Sequence, residues 1–107
     1  MFHANVRHHL AFLACSMLLA ACSQKSPCVT KGVKVDVITE HPHSAAVPSH
    51  DVERGAARTY AIEGDGHKHL FTLTADDMKK LQHGDPVTTR STSSNGHIHE
   101  VDVVCKQ

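Results

Sequence analysis

The sequence predicts a small, mainly β domain: an antiparallel sandwich or half-barrel of about six strands with one short helix, built from internal repeats. Three observations carry that expectation. Val33, Val35 and Val37 alternate with polar residues or Ile38, the period of a half-buried strand. Asp65-Gly66 and Asn95-Gly96 each stand between strand-like runs, and such dipeptides tolerate the positive φ angles of tight hairpin turns. The third observation is a recurring pattern. His67-Lys68-His69-Leu70-Phe71-Thr72-Leu73 returns as His97-Ile98-His99-Glu100-Val101-Asp102-Val103, and more loosely as His41-Pro42-His43-Ser44-Ala45-Ala46-Val47.

The chain opens with an address. Met1 to His9 is short and basic, and Leu10 to Ala20 is an apolar run of eleven residues, too short for a permanent membrane helix. This is the layout of a secretory signal peptide. It ends in Leu19-Ala20-Ala21-Cys22, which resembles the lipobox of bacterial lipoproteins. The resemblance implies a signal peptide over 1–21, lipidation of Cys22 and cleavage before it. A lipid-anchored tether over 22–27 then leads into a His-rich β domain, read from its own strand and turn patterns, over 28–107. In that family Ser23 after the cysteine favours the outer membrane, facing the periplasm, when the host is Gram-negative. An ordinary signal peptide with an incidental cysteine is the alternative.

Residues 22–107 suffice for one small domain. They carry ten Lys and Arg against eleven Asp and Glu, without a basic patch interleaved with aromatics, so nucleic acid is not the expected partner. Phe71 and Tyr60 are the only aromatics after the leader, a thin core that calls for a covalent staple. Cys28 and Cys105 stand at the two ends of the domain, and a disulfide between them is expected in an oxidising compartment. Closing such a loop constrains the unfolded chain by about 4 kcal/mol. A thiolate metal site or a redox pair lacks the C-x-x-C spacing.

The elements follow in order. Val29 to Thr39 reads as a first strand. Pro42 donates no ladder bond, so 41–47 reads as an edge strand or a loop entering one. Pro48 to Gly55 reads as a turn or a single helical turn capped by Ser49. Arg58–Glu63 and His67–Leu73 form a hairpin. Thr74 with Asp77 makes a capping box for a helix over 75–83, with Met78 and Leu81 as its buried stripe. Gly84 ends that helix, 87–94 is a further strand, and His97 to Cys105 closes the domain.

Both full units also share a short helical turn followed by glycine, Gly55 matching Gly84. The first histidines of the three copies, His41, His67 and His97, are spaced by 26 and 30 residues. The chain resembles a group of small secreted or lipid-anchored bacterial proteins with repeated G-H-x-H-x-V segments, spaced by A-x-x-[FM]-x-x-L-x-x-G. That resemblance covers most of residues 41 to 105 and implies the repeat and the compartment, not a reaction.

The histidines carry the functional expectation. On a strand, residues two apart share a face about 6 to 7 Å from one another. Each H-x-H pair is in phase with its apolar residues and faces the core side. His67, His69, His97 and His99, with His41 and His43 adjacent, are therefore candidate ligands for copper or zinc, which neutral imidazole suits. His50 and His83 fall outside the pattern and read as surface residues. Glu100 is out of phase, while Asp65 is placed to support a ligand from outside. The expected role is capture, buffering or delivery of a transition metal at the envelope. One alternative is a non-catalytic structural or interaction domain with solvated histidines. The other is a metal-dependent enzyme, although no nucleophile elbow, H-E-x-x-H or carboxylate pair is visible.

Overall fold

The computed structural model describes residues 24–39, 43–64 and 66–107. The leader, Cys22, His41, Pro42 and Asp65 lie outside them. The element order is α1 (Pro27–Thr30), β1 (Val33–Ile38), α2 (Ser49–Arg54), β2 (Arg58–Gly64), β3 (His67–Leu73), α3 (Ala75–Gln82), β4 (Val87–Arg90) and β5 (Glu100–Cys105). The fold is mainly β, with five strands in two antiparallel sheets among the described residues.

One sheet has the order β1-β5-β4 and the other is the β2-β3 hairpin. In the first, Val33 faces Cys105 at one end of the β1-β5 ladder and Ile38 faces Glu100 at the other. The hairpin pairs Gly64 with His67 across residues 65 and 66, and Gly66 takes φ +75°, the left-handed conformation that this turn asks for. The two sheets are joined where β4 ends. Thr92 N–H donates to the Leu70 carbonyl at 2.7 Å, and Leu70 N–H donates to Thr92 Oγ1 at 2.9 Å.

Alternation decides which faces are buried. Phe71 and Leu73 of β3, Tyr60 and Ile62 of β2, and Val101 and Val103 of β5 all point inward. Helix α3 lays Met78 and Leu81 on this core, both fully buried. Its amino end is held by the capping box, with Asp77 N–H on Thr74 Oγ1 and Thr74 N–H on Asp77 Oδ2. Helix α2 contributes Val52 and a buried carboxylate, Asp51, which accepts from Tyr60 Oη at 3.0 Å and Arg58 Nη1 at 3.3 Å. Burial first, then this carboxylate, push the Tyr60 phenol well above its ordinary value. The Cys28–Cys105 disulfide ties α1 to the end of β5.

Several expectations change in detail. Strand one starts at Val33, because Pro27 at the first helical position opens α1 over residues read as strand. Among the described residues three short helices stand where one was expected, and Ser49 lies inside α2, where Pro48 holds the cap position without a side-chain bond. Among the described residues 43–47 no strand forms: Ser44 makes a single antiparallel bridge to Glu63, and the described residues hold five strands where about six were expected. Strand β4 stops at Arg90 rather than Ser94, and β5 starts at Glu100 rather than His97. The cause of both is the departure of Thr92 to Leu70. No helix among the described residues is long and apolar enough to cross a membrane.

Candidate metal centre

The histidine pairs meet where the hairpin, the segment before β5 and the loop after β1 converge. His67 and His69 open β3 and point to the same side as Phe71 and Leu73. His97 closes the Asn95-Gly96 turn through its bridge to Ser94; Asn95 at φ 51° and Gly96 at φ 79° are both left-handed, as such a turn requires. His99 follows two residues on, in phase with Val101 and Val103. His43 enters from the loop, in phase with Ala45 and Val47, which pack on the core.

His43, His67, His69, His97 and His99 each offer one ring nitrogen, and these five atoms all lie within 4.8 Å of one another. Ligands held by metal–nitrogen bonds of about 2.0–2.1 Å stand about 2.9 Å apart at right angles and about 4.2 Å apart when opposed. The observed cluster has dimensions compatible with one coordination shell. His67 Nε2 and His97 Nε2 are 3.1 Å apart.

Burial divides the five. His69 is fully buried and His99 is 5% exposed, whereas His43, His67 and His97 are partly buried. His43 Nδ1 and Nε2, His69 Nε2 and His99 Nε2 are buried nitrogen atoms with no hydrogen-bond partner. Buried polar atoms are almost always satisfied, and leaving one without a partner costs about 1–3 kcal/mol. Four such atoms concentrated in three rings are what a ligand set looks like without its ion.

The tautomers fit that reading. His69 Nδ1 lies 2.8 Å from the Thr92 carbonyl, which only accepts, so Nδ1 carries the proton and Nε2 presents its lone pair to the cluster. The His99 ring hydrogen-bonds the Ile38 backbone; with Nε2 unpartnered, the donor is Nδ1. His97 Nδ1 faces the Asn95 carbonyl at 3.3 Å, which makes its Nε2 the acceptor from His67. Fixing one ring nitrogen on a carbonyl so that the other can ligate is the usual support of metal-bound histidine. Burial holds His99 below the ordinary imidazole value; the His69, His43 and His97 rings push the same way, and the Ile38 contact opposes them. His99 is thus biased toward the neutral form that binds metal.

Ser91 and Thr92 were not visible as site residues in the sequence. Buried Ser91 accepts His99 N–H on its Oγ at 2.9 Å, donates to the Thr92 carbonyl at 2.9 Å, and lies 3.4 Å from His69 Nδ1. One two-residue step thereby fixes two ligands. Its only local signal is a run of hydroxyl residues after a strand, which also describes any solvated loop.

Of the expected ligands, the structure brings together all but His41, which lies outside the described residues, as do Cys22 and Asp65. His50 and His83 are exposed, His83 at the carboxyl cap of α3. Glu100 is exposed and the cluster contains histidine alone among the described residues. No protein-family model matches the chain, and neither a curated protein nor a solved structure gives a match.

Proposed function

We propose that this chain is a lipid-anchored envelope protein that binds a transition metal, copper or zinc, for capture, buffering or delivery. The observation that carries the proposal is the set of buried, unpartnered imidazole nitrogens within coordination distance of one another. An all-imidazole donor set suits borderline divalent ions and is a poor match for calcium or magnesium, which take oxygen ligands. The anchor rests on Leu19-Ala20-Ala21-Cys22 alone. We read the chain as a binder, because the groups that converge among the described residues are imidazoles able to hold an ion.

Titration of Cu²⁺ and Zn²⁺ into wild type and two double variants tests the binding. Saturable uptake in wild type is expected. Affinity should fall far more on changing His67→Ala with His69→Ala than on changing His50→Ala with His83→Ala. Equal losses in the two variants, or no saturable uptake in wild type, would refute it. For the anchor, Cys22→Ala should leave the membrane fraction; a variant still sedimenting with membranes removes that part of the proposal.

A further inference from the structure

Resting on the metal-binding reading above, we infer that the five imidazoles saturate one divalent ion of the Cu²⁺ class, leaving no coordination position for water or a substrate. The donor count is the first argument. A closed structural zinc site uses four ligands, and a catalytic one uses three with water in the remaining position. Here five ring nitrogens lie within 4.8 Å of one another, one more than a tetrahedral ion employs. Five nitrogen donors suit the tetragonal geometry of Cu²⁺, which also binds nitrogen most tightly among the divalent first-row ions.

The second argument is the division of the shell into an inner and an outer set. His43, His69 and His99 supply the buried nitrogens without partners, and they anchor the ion from the core side. His67 and His97 are partly buried, as the His43 ring is, and their Nε2 atoms meet at 3.1 Å, the spacing of neighbouring ligands on one ion. The proton between them belongs to His67, because His97 Nδ1 faces the Asn95 carbonyl. The pair supplies the fourth and fifth donors, at positions where a water or substrate ligand would otherwise sit.

The chemistry of the donors is the third. Imidazole ligates as a neutral donor, so an ion held by these rings keeps its double positive charge. Cys28 and Cys105 are joined to each other at the far end of the β1-β5 ladder, so neither is free to ligate. A saturated site of exchangeable neutral ligands holds an ion for later release and is closed to hydrolysis or dismutation.

Azide is the probe, because it binds Cu²⁺ only at an open or water-occupied position and gives a charge-transfer absorption when it does. The full processed chain in detergent is loaded with one equivalent of Cu²⁺ and followed by absorption and electron paramagnetic resonance as azide is added in large excess. Wild type should show nitrogen-only coordination and no azide band. The His67→Ala, His97→Ala double variant should still bind Cu²⁺ through the inner rings and should gain the band. An azide band or a coordinated water in wild type overturns the inference while leaving metal binding intact, and so does a double variant that stays closed to azide. Absence of Cu²⁺ binding in wild type overturns both readings together.

Discussion

Ser91→Ala removes one hydroxyl and tests whether the centre is held from outside. Ser91 Oγ is the acceptor for His99 N–H at 2.9 Å, and it donates to the same Thr92 carbonyl that orients His69. Ser91 is 7% exposed and His99 is 5% exposed, so water does not readily replace the lost acceptor. An orphaned buried N–H costs about 1–3 kcal/mol. For a domain of this size each kcal/mol lowers Tm by about 4–8 °C. Two ligands also lose part of their orientation, and losses of supporting contacts of this kind weaken metal binding by about 10–100-fold. Thermal melts of the metal-free variant and Cu²⁺ titrations measure the two effects separately. Ser93→Ala, at an exposed neighbour, is the control and should change neither by more than about 0.5 kcal/mol. A Ser91→Ala protein with the wild-type Tm and affinity would refute the hydroxyl's role as a support of the ligands.

Three further outcomes are expected. Reducing the Cys28–Cys105 bridge, which spans 77 residues, should cost about 4.5 kcal/mol by chain entropy, measured by urea unfolding with and without reductant. A loss below about 1 kcal/mol would count against that account. Tyr60→Phe deprives the buried Asp51 of its closest side-chain donor and should destabilise by about 1–3 kcal/mol in the same assay, whereas a neutral effect would mean Arg58 suffices. The folded-state value of His99 lies below its ordinary 6.5, so the unfolded chain takes up the proton first as pH falls. Stability of the metal-free protein is then complete above 6.5 and declines below it toward the folded value; unfolding curves that do not move between neutral pH and pH 5 would contradict this.

What was legible in the sequence is what local chemistry decides. The two hairpin turns carry Gly66 and Asn95-Gly96 at left-handed positions, the helix start at Thr74 carries its reciprocal cap, and Phe71, Leu73, Val101 and Val103 alternate in phase. From that phase follows the side of the strand on which the histidines stand, including His43, whose own segment forms no strand. The terminal cysteines are joined as their positions suggested. Less legible was anything set by a distant partner. Ser26-Pro27 is a helix-start signal, yet it precedes a valine-rich run, and the short α1 prevails only where the disulfide and Leu81 are at hand, the Leu81 carbonyl accepting from Ser26 Oγ at 2.8 Å. Strand β4 breaks after Arg90 because Thr92 pairs with Leu70, 22 residues away in sequence. No periodicity within 87–94 encodes that departure, and with it the support of His69 and His99 stays hidden.

The placement of the staple and the centre then has a mechanical logic. The β1-β5 ladder runs from Val33 opposite Cys105 to Ile38 opposite Glu100. The disulfide clamps the first end, and the histidines occupy the second, where the His99 ring also reaches the Ile38 backbone. Unpartnered buried nitrogens weaken the fold at that second end, and a small core has little surplus with which to absorb them. A cross-link acting on the unfolded chain raises stability without adding a contact near the centre, so the rings can remain unpartnered until an ion arrives. Binding to the folded state alone then adds RT ln(1 + [L]/Kd), about 2.7 kcal/mol at a hundredfold excess over Kd. On the proposed function, metal and disulfide would stabilise opposite ends of one ladder. Because they touch no common residue, their contributions should add, and the Tm gain on Cu²⁺ binding should be the same in oxidised and reduced protein wherever both remain folded. A gain that vanished on reduction would show instead that the far end of the ladder shapes the centre.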